Sequence, residues 1–162
     1  MGCGDNVGQI VNIEDIEAQN DRLIDSLVVH CSATPYGAYF DAYDIHRWHT
    51  EDNDWKAIAY HYVILLDGTI QKGRVDEEIG AHAKDYNSYS LGICLIGGTD
   101  DNGVAYDDGY TEAQYKSLLT LLQKLKGLYV DSVIIGHKEL PVNKACPCLS
   151  KTSLDLIRNL IY

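Results

Sequence analysis

Three short apolar runs constrain this chain more than anything else in it: Ser26-Leu27-Val28-Val29-His30, Leu91-Gly92-Ile93-Cys94-Leu95-Ile96 and Ser132-Val133-Ile134-Ile135. Each is short, aliphatic and rich in β-branched residues, the pattern of a buried strand. Between them lie stretches of helical period. Asp41 is placed to cap a helix carrying Ile45, Trp48 and His49, with Asn53-Asp54 as its stop. Thr111 and Gln114 form a capping box ahead of Tyr115, Leu118, Leu119, Leu122 and Leu125, an apolar face that runs out near Gly127. Leu154, Ile157, Leu160 and Ile161 mark an amphipathic C-terminal helix. Tyr60 to Leu66, Asp67-Gly68 and Thr69 to Lys72 read as a hairpin with a two-residue turn and with Tyr60 on its first strand. Strands interleaved with helices, plus one hairpin, predict an α/β chain: a single domain with a central mixed β-sheet flanked by helices.

A chain of 162 residues, 46% apolar and 23% charged, suits one domain with one core. Residues 1–22 are polar and weakly periodic, apart from Ile10, Ile13 and Ile16 at helix-like spacing. They read as an arm or short packing helix ahead of a domain over 23–162. Against 13 Lys and Arg stand 24 Asp and Glu, a net charge of −11. That field repels nucleic acid and anionic membranes, so nucleic acid is not expected as a partner. No run approaches the roughly 20 apolar residues that cross a bilayer, so no stable membrane insertion is expected. The N-terminus lacks a signal-peptide pattern, and synthesis in the cytoplasm as a monomer is the expectation. Cys3, Cys31, Cys94, Cys146 and Cys148 have no disulfide-scaffold spacing and are expected to be mostly reduced. Met1-Gly2-Cys3 approaches two lipidation patterns and completes neither; given an upstream start, Cys3 would be the lipid-bearing residue.

Two of the apolar runs lead into histidines, His30 and His137, and Cys146 follows in Lys144-Ala145-Cys146-Pro147. Two imidazoles and a thiolate suit zinc, whose catalytic sites take three protein ligands and leave the fourth position to water. Taken singly, a histidine is more often a satisfied structural residue and a cysteine a small core residue. His46 and His49, three apart on a helix, read as a solvated face with His49 or Trp48 packing inward. Glu139 is either a partner that orients a ligand imidazole or an exposed turn carboxylate. Strand alternation turns Cys31 away from His30, and His61 away from Tyr60.

The order of several strings then resembles a known family. Val29-His30-Cys31-Ser32-Ala33-Thr34, Ala59-Tyr60-His61-Tyr62-Val63-Ile64, Asp67-Gly68-Thr69, Ala81-His82-Ala83, Tyr86-Asn87, Leu91-Gly92-Ile93, Gly136-His137-Lys138-Glu139 and Lys144-Ala145-Cys146-Pro147 follow one another as in N-acetylmuramoyl-L-alanine amidases. That family includes phage lysozymes of the amidase type and peptidoglycan recognition proteins. The resemblance implies one zinc ion held by His30, His137 and Cys146, with Tyr60 as the catalytic tyrosine and Lys144 as a basic residue beside the cysteine. It also implies substrate contacts from His82 and Asn87, although Asn87 reads equally well as a side chain that holds a loop. Cys148 departs from the family pattern, which usually has glycine after the Cys-Pro pair.

The implied reaction is hydrolysis of the amide between N-acetylmuramic acid and the L-alanine of the stem peptide in peptidoglycan. Zinc would activate water and polarise the carbonyl, with Lys144 and the Tyr60 hydroxyl as donors to the developing oxyanion. A non-catalytic peptidoglycan-binding module is the alternative, and retention of Cys146 with both histidines argues for catalysis. The implied setting is a cell-wall-degrading, endolysin-like enzyme acting at the wall.

Overall fold

In the computed structural model, which describes residues 6–162, the apolar runs become the middle of a sheet. The elements are β1 (Ser26–Cys31), β2 (Thr34–Pro35), α1 (Ala42–Arg47), β3 (Tyr62–Ile64), β4 (Ile70–Lys72), β5 (Ser90–Leu95), β6 (Gly98–Thr99), α2 (Glu112–Leu128), β7 (Val133–Gly136) and α3 (Lys151–Ile161). Five strands form one sheet in the order β4-β3-β5-β1-β7, and β2 pairs with β6 in a second, two-stranded sheet. In the large sheet β1, β3, β5 and β7 run parallel and β4 returns antiparallel to β3. Every residue of β1 and β5 is buried, as expected for central strands covered on both faces. Cys3 lies outside the described residues.

Side-chain alternation sorts the two faces. Leu27, Val29, Cys31, Leu91, Ile93 and Leu95 pack with Leu118, Leu121, Leu122 and Leu125 of α2 and with Leu154 and Ile157 of α3. Each such side chain contributes about 1.5–3 kcal/mol on burial. On the other face Val63 and Cys94 meet Ala42 and Ile45 of α1, while Val28 meets Ala83 and Leu140. This second face is covered thinly, by one short helix and by loops, and by strand alternation His30 of β1 lies on it.

The helix starts follow the sequence. Asp41 caps α1 in a reciprocal box with Asp44, and the helix widens into a π-helical turn over Trp48–Asp52 that ends at Asn53. Thr111 and Gln114 form the box that opens α2. Gln114 does more than cap. Its side chain is fully buried, and Nε2 donates to the carbonyls of Ile64 (3.3 Å) and Ile96 (2.9 Å) at the ends of β3 and β5. Gln114→Met keeps the volume but strands two buried carbonyls and the cap, so we expect a loss of about 3 kcal/mol. For a domain of this size that is roughly 6–12 °C in Tm, read by thermal denaturation.

Two expectations are corrected. The hairpin loop has three residues rather than two: Gly68 N–H donates to the Leu65 carbonyl, Leu65 N–H bonds Thr69, and only Gly68 takes a positive φ, +88°. Asp-Gly serves this longer loop equally well, because a single left-handed glycine after an ordinary turn suffices. Tyr60 lies two residues before β3 rather than on it, with its carbonyl accepting the Arg74 N–H at 2.9 Å. Of the two readings of the N-terminal segment, arm or short packing helix, the arm is the one seen. Ile13–Asp15 make a single 3-10 turn, and the arm runs beside β4 through Gly8 N–H to Lys72, Lys72 N–H to Gln9 and Val11 N–H to Ile70, each 2.8 Å. It thereby pairs backbone groups that an open sheet edge would leave exposed.

Candidate metal centre and active site

The two histidines meet because their strands are neighbours in register. β1 and β7 are parallel with Val29 opposite Gly136, so His30 and the residue just past β7, His137, fall level on the thinly covered face. Their ring centroids are 4.5 Å apart. A 3-10 turn over His137–Glu139 follows, and it is fastened from two sides. The Glu139 carboxylate accepts the Gly136 N–H at 2.8 Å and takes a two-pronged grip from Arg158 of α3, at 2.7 and 3.1 Å. Although partial burial opposes ionisation, the donors from Arg158 and Gly136 hold the Glu139 carboxyl below its usual range. Glu139 therefore anchors the turn that bears His137.

Cys146 arrives on the loop before α3. Lys138 N–H donates to the Cys146 carbonyl (2.7 Å) and Cys31 N–H donates to its Sγ (3.2 Å), which tie that loop to both histidine-bearing segments. The ligating atoms of His30, His137 and Cys146 all lie within 4.8 Å of one another, and His30 Nδ1 is 3.6 Å from Cys146 Sγ. Tetrahedral zinc with Zn–N and Zn–S bonds near 2.0 and 2.3 Å sets its donors about 3.3–3.7 Å apart, so the spacing suits a metal ion. Burial, with His82 and His137 nearby, drives the His30 pKa well below its ordinary value. Burial and then the Lys144 charge lower that of His137. Both rings are thus neutral, the form that binds metal.

Tyr60 is half-buried, with its ring 5.1 Å from that of His30. Desolvation, then the neighbouring Cys94, Cys146 and Cys31 thiols, push its pKa well above 10, so the hydroxyl keeps its proton. The segment that carries it is pinned by residues whose role the sequence did not reveal. Ile58 N–H donates to His46 Nδ1 (3.1 Å), Ala59 N–H to His49 Nδ1 (2.9 Å), and the buried Arg74 guanidinium to the Ile58 carbonyl (2.7 Å). His49 also packs against Tyr60, ring centroids 5.7 Å apart. Two histidines three apart on a helix were the only local signal. Lys144 is exposed two residues before Cys146.

His82 lies beneath the site instead of lining an open groove. It is 7% exposed, its Nδ1 is 2.8 Å from His30 Nε2, and its Nε2 is 3.2 Å from Ser90 Oγ. Asn87 Oδ1 accepts the backbone N–H groups of His82 (2.9 Å) and Ala83 (2.8 Å), so its side chain holds this loop. His61 is fully buried, accepting the Gly92 N–H on Nδ1 and bonding the Glu78 carbonyl through Nε2. Cys31 faces the core as expected, and its Sγ is 3.8 Å from that of the buried Cys148.

Comparison with known proteins shows the family and the fold. The family model for N-acetylmuramoyl-L-alanine amidase matches residues 19–148. The endolysin of Escherichia phage T7 is 42% identical over 134 residues, 83% of each chain, and that of Klebsiella phage KP32 is 40% identical over 132 residues, 82% of each. Among solved structures, the endolysin N-acetylmuramoyl-L-alanine amidase LysCS from Clostridium intestinale superposes with a TM-score of 0.71 at 25% identity, covering 92% of this chain and 93% of that one. The ectodomain complex of peptidoglycan recognition proteins LCa and LCx, solved with tracheal cytotoxin, shares the fold with a TM-score of 0.67 at 23% identity, covering 91% and 88%. No helix among the described residues is long and apolar enough to cross a membrane. The chain belongs to the N-acetylmuramoyl-L-alanine amidase family and is a peptidoglycan-lysing amidase.

Proposed function

We propose that this amidase works as a zinc enzyme, with His30, His137 and Cys146 as ligands, and that it cuts the amide between N-acetylmuramic acid and the L-alanine of the stem peptide. The observation that carries the reading is the convergence of two neutral ring nitrogens and one sulfur within 4.8 Å. Such a donor set is borderline-soft and suits zinc over magnesium or calcium, which take oxygen ligands. Zinc bound there supplies a Lewis acid for the scissile carbonyl and lowers the pKa of water toward about 7.

The chain's own residues do the rest. The Tyr60 hydroxyl, protonated at neutral pH, donates a hydrogen bond to the oxygen on which negative charge develops. Its raised pKa fits that role and disfavours a role as general base. The Lys144 charge acts near His137, where it would offset the oxyanion and, second to burial, help keep His137 unprotonated. Arg74, His46 and His49 hold the Tyr60 segment against His30 so that the donor needs little rearrangement to act. Residues 23–162 form the catalytic unit, a monomer, and the arm before it closes the sheet edge. The relatives named endolysin support a role in lysing the wall of the cell that makes it.

Digestion of purified peptidoglycan tests the reading. Free L-alanine amino groups should appear with no new reducing sugar ends, and elemental analysis should find one zinc per chain. New reducing ends without new amino groups would overturn it.

A further inference from the structure

We propose that His82 is a positioning residue for the metal ligand His30, acting through a relay from His30 Nε2 to His82 Nδ1 to Ser90 Oγ; this rests on the zinc reading above. His30 is 1% exposed, so water does not reach the nitrogen that faces away from the ligand cluster. Its Nδ1 points to Cys146 Sγ at 3.6 Å, and its Nε2 lies 2.8 Å from His82 Nδ1. If Nδ1 gives its lone pair to the metal, Nε2 must carry the proton and donate it to His82. The His82 ring then has only one consistent form: Nδ1 accepts, and Nε2–H donates to Ser90 Oγ at 3.2 Å. Three groups on β1, a loop and β5 thereby agree on one tautomer of the ligand.

The relay is built, not incidental. Asn87 Oδ1 takes the N–H groups of His82 and Ala83 and fixes the backbone that carries the ring. The ring sits over Gly92, where an added Cβ would lie 2.6 Å from His82 Cγ, so glycine at that point of β5 makes the seat. The two imidazoles meet edge to face, centroids 4.8 Å apart. With both nitrogens engaged and 7% of its surface exposed, His82 has no polar ring atom left for a substrate. Ligand imidazoles usually donate to a carboxylate or a carbonyl; here a second, uncharged imidazole takes that place.

Zinc affinity, measured by competition with a chromophoric chelator, separates this role from a substrate contact or simple packing. His82→Leu removes the acceptor and should weaken zinc about 10–100-fold. His82→Asn keeps an oxygen near the Nδ1 position and should recover most of that loss, which a purely structural role would not. Ser90→Ala, a smaller change in case His82→Leu fails to fold, should weaken zinc in the same direction and by less. A wild-type affinity unchanged by His82→Leu, or by Ser90→Ala where the leucine variant is unfolded, overturns the relay and leaves the zinc centre standing. A rise in KM alone, with zinc affinity unchanged, makes His82 a substrate contact. A wild-type chain that binds no zinc overturns the metal centre and the relay together.

Discussion

Cys146→Ser is expected to abolish the stoichiometric metal and cut the rate of wall lysis by more than about 10³-fold. A serine hydroxyl is a neutral, hard donor at pH 7, whereas the thiolate is the one sulfur in the set. Loss of the ion removes several kcal/mol of transition-state stabilisation, and each ~1.4 kcal/mol is tenfold in rate. The control is its neighbour. Cys148 adopts φ +54°, a left-handed conformation that glycine takes at no steric cost, and its sulfur is buried against Cys31 on the core side. Cys148→Gly should therefore keep one zinc per chain and near-normal lysis in a turbidity assay. Loss of metal in Cys148→Gly but not in Cys146→Ser would reassign the ligand.

Acid should destabilise the metal-free protein by about 3 kcal/mol between pH 7 and pH 4.5, seen in urea titrations at the two pH values. Desolvation lowers the His61 pKa well below its ordinary value, and lowers that of His49 to about 4. Both rings stay neutral in the fold, while in the unfolded chain they take up protons below about 6.5. The unfolded state thus binds more protons, so stability present above that pH is lost as pH falls toward the folded-state values. A fully buried ring contributes up to about 1.4 kcal/mol per pH unit, and the half-buried His49 less because solvent screens its charge. A flat profile across this window would show that these rings protonate within the native structure.

Much of this site was legible because its parts end strands. An apolar run followed by histidine places that histidine near a strand's C-terminal end: His30 is next to last in β1, and His137 directly follows β7. What local sequence does not carry is which strands are neighbours. The pairing of β1 with β7, which sets the two rings side by side, is a property of topology. His82 shows the same limit more sharply. The resemblance implies a substrate contact there, yet Gly92 on β5 leaves the space that the His82 ring fills, 2.8 Å from His30 Nε2. Tyr60 was read as part of the hairpin's first strand; it precedes β3 and still pairs through its carbonyl with Arg74 N–H, while His46, His49 and the Arg74 guanidinium bond the two residues before it. Gln114 was legible as a cap, but its two bonds to strand carbonyls depend on how α2 lies across the sheet.

Zinc K-edge X-ray absorption on the metal-loaded chain tests the metal centre most directly. Two ring nitrogens and Cys146 as ligands predict a single sulfur at about 2.3 Å, with the remaining nitrogen or oxygen neighbours at about 2.0–2.1 Å. A spectrum with no sulfur in the first shell, or with two, would contradict it.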